Sequence, residues 1–132
     1  MIEIVRKTYR IMERIRAFFI FFGGVIVKEN VFQAKLIKAI REAISDAIVL
    51  KNDCGYLQGF PDLTVLLPNG RWAVLECKIS ADAAHQPNQD YYISRISGNT
   101  CGYATFVYPE NLSMVLTKLN RMAYNGECVH GF

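Results

Sequence analysis

Asp62, Glu76 and Lys78 lie in one stretch, GFPDLTVLLPNGRWAVLECK, which runs from Gly59 to Lys78. Two carboxylates and a lysine at this spacing are the parts of a site that holds a divalent metal beside a phosphodiester. Carboxylate oxygens suit a hard cation, and an ammonium group neutralises charge on a phosphate. The chemistry requires that all three side chains share one face of whatever element carries them. The stretch reads as a β-hairpin with Asp62 on one arm and Glu76 and Lys78 on the other, so the turn decides the question.

Val65-Leu66-Leu67 and Trp72-Ala73-Val74-Leu75 are β-rich runs on either side of Pro68-Asn69-Gly70. Asn-Gly alone suggests a two-residue type I′ turn. In that register position 68 pairs with 71, Asp62 falls opposite Cys77, and Glu76 points through the other face of the sheet. Pro68 favours a different turn. Its fixed φ suits the second position of a type I turn, Asn69 fits the third, and Gly70 supplies the left-handed residue of a three-residue loop with a G1 bulge. Position 67 then pairs with 71, Asp62 lies opposite Glu76, and Lys78 projects from the same face. Cross-strand neighbours have Cβ atoms roughly 4.5–5.5 Å apart, close enough for one cation to bridge two carboxylates.

The bland alternative makes Asp62 a turn residue after Pro61, with Glu76 and Lys78 as exposed strand charges. Against it, Val74-Leu75 precede Glu76 and Ile79 follows Lys78, and charges embedded in an apolar strand need partners or an ion. Cys77, between them, is expected to turn its side chain away from the site and to leave its backbone carbonyl available as a ligand.

These residues belong to a chain of 132 residues, long enough for one domain with a real core and too short for two. A hydrophobic share of 52% and a charged share of 20% are ordinary for a globular protein. The net charge of +3 permits a polyanionic partner without demanding one. Cys54, Cys77, Cys101 and Cys128 are scattered without a C-x-x-C pair, which argues against a zinc site or a disulfide framework and makes a reducing cytoplasm the simplest setting. Neither His85 nor His130 has an evident partner in the sequence, so a catalytic thiol is disfavoured. No Gly-rich phosphate loop is present, which removes support for P-loop nucleotide hydrolysis.

The elements that must position the site follow from periodicity. Residues 1–27 form an extension: Ile4, Ile11, Ile15, Phe18 and Phe22 recur at helical spacing among Arg6, Lys7, Arg10, Arg14 and Arg16, ahead of an apolar run too short to cross a bilayer. A core or interface helix is expected there, with no membrane role. Residues 28–132 form the second unit. Glu29 to Ala47 is expected to be helical, with Val31, Leu36, Ile37, Ile40, Ile44 and Ala47 on one face and Asn30 as its N-cap. Ile48-Val49-Leu50 is a strand, and two loops lead to Asp62. Residues 79–86 are irregular, Pro87 opens a helix that Gly98 ends, 103–108 is a strand, and 110–124 is a final helix. The order predicts an α/β fold, a central mixed β-sheet flanked by helices.

Assembled, Pro61-Asp62, fourteen intervening residues and Glu76-Cys77-Lys78 resemble the PD-(D/E)xK nucleases, and within them the virus-type replication-repair nuclease domain, VRR-NUC. The resemblance covers about residues 29 to 116. Glu29 and Gln33 match the glutamate and glutamine of the family's leading helix, Gly59-Phe60-Pro61-Asp62 its Gly-x-Pro-Asp, and Glu76-Cys77-Lys78 its Glu-x-Lys. Gln89, or else Gln86, matches its downstream helix glutamine within Gln86-Pro87-Asn88-Gln89, where the family usually has a Ser-Pro-x-x-Gln-like start. Residues 1–27 have no counterpart. The resemblance implies a restriction-endonuclease-like core and a Mg²⁺- or Mn²⁺-dependent endonuclease that hydrolyses DNA, duplex or branched, in viral replication, recombination or repair, working in the cytoplasm of a host if viral. It implies Asp62, Glu76 and the Cys77 carbonyl as metal ligands, with Glu29 as a further ligand or the holder of a water. Lys78 would orient the water or offset charge on the phosphate, and Gln89 would position it. A homodimer is expected, with the apolar N-terminal segment as its surface. The alternative is a non-catalytic nucleic-acid-binding or interaction module on the same fold.

Overall fold

The computed structural model describes residues 28–53, 55–99 and 102–125, together with helical positions between 3 and 14. The apolar run after position 16, the cysteines at 54, 101 and 128, and His130 lie outside the described residues, and so does the expected dimer surface.

Helix α1 spans Glu29–Ala43. Its buried side is Phe32, Leu36, Ile37, Ala39, Ile40 and Ala43, the i, i+4 spacing of a helix packed on a core. Val31 was expected on that side and is exposed instead. At about 100° per residue it lies roughly 140° round the helix from Leu36, whereas Phe32 lies roughly 40° away. Lys28, in extended geometry and without a side-chain cap bond, precedes the helix in place of Asn30. Glu29 then occupies the first turn, where the helix dipole favours a carboxylate. The helix ends four residues sooner than Ala47, because Ile44 leaves helical geometry while its N–H still reaches the Ile40 carbonyl.

Strand β1 (Ile48–Lys51) pairs antiparallel with β2 (Leu63–Leu66), which pairs antiparallel with β3 (Trp72–Cys77). Helix α2 (Pro87–Asn99) then crosses to β4 (Tyr103–Val107), which runs parallel to β3. The result is a four-stranded mixed sheet in the order β1-β2-β3-β4. Gly98 does not stop α2, which continues to Asn99; the Ser97 hydroxyl ties its last turn to the Ala104 carbonyl at 3.0 Å. After β4, Pro109–Asn111 makes a 3₁₀ turn, and α3 runs from Leu112 to Tyr124, two residues later than expected.

The hairpin register is the three-residue one. Leu63 faces Leu75, Leu66 faces Trp72, and the Leu67 N–H donates to the Arg71 carbonyl at 2.8 Å. The turn's conformation differs from the type I expectation. Asn69 is itself left-handed (φ 65°), as is Gly70 (φ 74°). Asparagine tolerates this region, and the Asn69 amide is anchored at 3.2 Å to the Ala123 carbonyl near the end of α3.

Alternation along β3 sorts the domain into layers. Ala73, Leu75 and Cys77 join one core with α1, α3 and Ile11 of the N-terminal helical segment. Val74 faces the other way and packs with Ile93 and Ile96 of α2 and Ala104 of β4, with Phe60, Trp72 and Phe106 around them. Among the described residues no helix is long and apolar enough to cross a membrane.

Candidate functional site

Asp62 enters the sheet at the start of β2, and two devices hold it there. The Asn52 N–H donates to the Asp62 carbonyl at 2.8 Å. The Asn52 amide donates to the Pro61 carbonyl at 2.8 Å and to the Thr64 hydroxyl at 2.9 Å, and that hydroxyl donates back to Asn52 Oδ1 at 3.0 Å. One asparagine thus fixes the backbone on both sides of Asp62. Gly59 is the second device. Its φ is 83°, and a Cβ placed on it would stand 2.1 Å from the Asn88 Cβ. Only glycine lets this loop lie directly on the first turn of α2, and that contact sets Asp62 relative to Gln89.

The side chains converge on the α2 face of β3. The Asp62 N–H donates to Glu76 Oε2 at 3.1 Å, and the Cys77 N–H donates to Asp62 Oδ2 at 2.9 Å. Gln89 Nε2 donates to Glu76 Oε1 at 2.8 Å. Lys78 Nζ donates to Gln89 Oε1 at 2.8 Å and to the Ala84 carbonyl at 3.1 Å. The Gln86 N–H also donates to Gln89 Oε1, at 3.0 Å. These partners fix the Gln89 amide: its oxygen receives the ammonium and a backbone N–H while its NH₂ faces a carboxylate, and a flipped amide would oppose donors to donors. Of the two glutamines, Gln89 reaches the cluster with its side chain and Gln86 contributes a backbone N–H.

Glu76 is 3% exposed and Lys78 6%, so neither is a solvated surface charge. Burial, then the Asp62 carboxylate, raises the Glu76 pKa to about 8, although Lys78 pulls it down. Glu29, at the start of α1, is also raised, first by burial and then by Asp62, with Lys78 opposing. It reaches the cluster through charge rather than through a hydrogen bond. Cys77 points into the α1–α3 core as expected. Burial first, then Asp62, Glu76 and Glu29, push its thiol up, against a hydrogen bond with Gln33. A thiol held protonated on the far side of the sheet is no nucleophile.

His85, expected to lack a partner, has two. Its Nδ1 lies 3.0 Å from Asp90 Oδ1, and its ring stacks on Phe106 at 3.9 Å and 14°. Phe106 pairs with Glu76 across β3 and β4, so His85 caps the flank of the cluster. Asn52 and His85 are the site neighbours that sequence reasoning missed. Only a polar residue at a strand end and a histidine five residues from an aspartate hinted at them.

The donors that the structure brings together are oxygens, those of the Asp62 and Glu76 carboxylates. That chemistry fits Mg²⁺ or Mn²⁺ and not a soft metal. Two carboxylates forced together by backbone hydrogen bonds, one of them buried, form a place where a cation relieves repulsion. Among the described residues no three His, Cys, Asp or Glu side chains form a ready metal cage; the pair is what the geometry offers. No family model, no curated protein and no solved structure matches the chain.

Proposed function

We propose that this chain is a Mg²⁺- or Mn²⁺-dependent DNA endonuclease, built on a restriction-endonuclease-like core of the VRR-NUC kind and working in viral replication, recombination or repair. The observation that carries the reading is the single hydrogen-bonded cluster of Asp62, Glu76, Gln89 and Lys78 on one face of the sheet. Asp62, Glu76 and the Cys77 carbonyl would hold the metal, with Glu29 near enough to add charge. When bound, such an ion polarises a phosphate oxygen and lowers the pKa of water.

The remaining work falls to the chain's own groups. Lys78, buried and held between the Gln89 and Ala84 oxygens, keeps an ammonium beside the carboxylates at no reorganisation cost. There it offsets charge developing on the phosphate or orients the attacking water. Gln89 is a positioning residue, linking Lys78 to Glu76 so that the two move as one unit. A homodimer would place two such sites for two strands, and light scattering at micromolar concentration tests it; a strict monomer removes that part of the reading.

The decisive experiment incubates the purified chain with Mg²⁺ or Mn²⁺ and a panel of single strands, duplexes, flaps and junctions. Cleavage is expected, and Asp62→Asn, Glu76→Gln and Lys78→Ala should each lower it by about 10²-fold or more. Unchanged cutting by all three variants sinks the assignment. Metal-independent DNA binding without cleavage of any substrate favours a non-catalytic binding module.

A further inference from the structure

From Phe60, in the loop that delivers Asp62, a ladder of aromatic rings leads out to the exposed surface of α2, and the proposed chemistry does not use it. Phe60, two residues before Asp62, meets Tyr92 edge-to-face at 5.4 Å and 69°. Tyr92 meets Tyr91 at 5.1 Å and 75°. Tyr91, two residues after Gln89, is 53% exposed. Arg95, one turn on along α2, donates from Nη1 to the Tyr91 hydroxyl at 3.1 Å, and its guanidinium lies 5.9 Å from the Tyr91 ring centroid. Among the described residues the ion pairs are Arg10–Glu3, Arg14–Glu42 and His85–Asp90, so the charge of Arg95 is not spent on a carboxylate.

An exposed ring backed by Tyr92, which Phe60 backs in turn, and tied at its hydroxyl to a guanidinium is a rigid apolar plate with a positive edge. A partner that matches both needs a flat π-face and an adjacent negative charge. A nucleotide has both. In a duplex the base faces are hidden by stacking, so this plate suits only unpaired bases.

We infer that the Tyr91–Arg95 surface is a stacking platform for unpaired nucleotides of a DNA strand whose phosphate lies at the Asp62–Glu76 cluster. The substrate class is therefore DNA with single-stranded nucleotides next to the scissile bond. Tyr91 takes the face of a base, and Arg95 takes the neighbouring phosphate. The statement about the scissile bond rests on the nuclease reading; the binding itself does not.

The test measures binding without divalent metal, using fluorescein-labelled oligothymidine and a duplex of the same length against the full chain. Tyr91→Ala should weaken single-strand binding about tenfold and duplex binding less than twofold. Tyr91→Phe, which keeps the ring, should retain most of the affinity, and Arg95→Ala should lower the salt dependence of binding by about one phosphate contact. A 2-aminopurine in the strand should be quenched by the wild-type protein and not by Tyr91→Ala. Equal losses on both DNAs, or no loss on either, overturn the platform. A change of oligomeric state in Tyr91→Ala with DNA binding intact also overturns it and makes the surface a contact between copies. Single-strand binding that depends on Tyr91, with no cleavage of any substrate in Mg²⁺ or Mn²⁺, leaves the platform standing and removes the nuclease reading. Cleavage of flap or single-stranded DNA that is indifferent to Tyr91→Ala does the reverse.

Discussion

The two faces of the sheet are made by the same strands and are built for different ends. On one, Ala73, Leu75 and Cys77 of β3 sink into an apolar cluster with Phe32, Leu36 and Ile40 of α1 and Leu116, Leu119 and Met122 of α3. On the other, the apolar cluster shrinks to Val74, Ile93, Ile96 and Ala104. Beyond it on one side stand the buried charges of Glu76 and Lys78, and on the other Ile48, Leu50 and Leu66 are left exposed. The contrast sets an apolar face against one that carries a buried ionisable cluster. A continuous apolar face supplies the free energy that lets the opposite face hold two buried ionisable groups, which cost stability unless partnered.

Neighbouring residues of β3 put this division to its hardest test. Leu75 is fully buried in the larger core, so Leu75→Ala should cost about 2–5 kcal/mol in urea unfolding. Glu76→Gln keeps the side-chain shape and removes a buried charge. It should leave stability unchanged or raised at pH 8 while abolishing cleavage. If Glu76→Gln destabilised the fold as much as Leu75→Ala, the site face would be structural and the division would collapse.

The next effect lies at the seam between the loop and α2. Gly59→Ala combines a left-handed backbone with a Cβ pressed on the Asn88 Cβ. Each such strain is worth of order 1–3 kcal/mol. Because the loop carries Asp62, the variant should also lose roughly tenfold in kcat, a misplacement effect. Asn88→Gly in the same chain removes the closest contact, leaving the Asn88 backbone at 3.0 and 3.1 Å, and should recover part of the loss. No recovery would mean that the Asn88 Cβ contact does not set Asp62.

A smaller effect follows from the raised carboxyl of Glu76. In the unfolded chain it titrates near its ordinary value of 4.5, and in the folded chain at about 8. Between these pH values the unfolded state has released a proton that the native state keeps. Stability therefore falls as pH rises through that window and is flat below it. The raised Glu29 acts in the same direction. Tm should drop between pH 5 and 8, and Glu76→Gln should flatten the profile. Millimolar Mn²⁺ at pH 8 should restore Tm in the wild-type chain and not in Asp62→Asn. A profile that climbs over this range refutes the account.

Much of this arrangement is legible in the residue order. The register follows from loop length, which Pro68 favours although the turn's conformation is not the expected one, and the facing of Asp62 and Glu76 follows from the register. The seating of Cys77 in the opposite core follows from the same alternation. Where reading the order fails, long-range contact decides. Asn52 and Gly59 act through loops without a periodic signal, and their partners at Pro61, Thr64 and Asn88 come close only once the sheet and α2 are in place. His85 finds Phe106 for the same reason. The exchange of Val31 for Phe32 is a different failure: both are apolar, and the phase of α1 is set by the core it meets rather than by its first turn. Asn69 could adopt either hand, and its bond to Ala123 favours the left.

The smallest effect sits farthest from the site, at the turn of the same hairpin. Gly70, like Gly59, has positive φ, yet a Cβ added there meets nothing within 4 Å. Gly70→Ala should therefore cost only the conformational penalty, about 1 kcal/mol, with cleavage unchanged. The pairing of Leu67 with Arg71 depends on three loop residues, not on the side chain at the third. Measured beside Gly59→Ala, the pair separates backbone strain from close packing, since both glycines share the first and only one has the second. Should Gly70→Ala lose as much activity as Gly59→Ala, the register itself rests on Gly70, and with it the assignment of Glu76 and Lys78 to the α2 face.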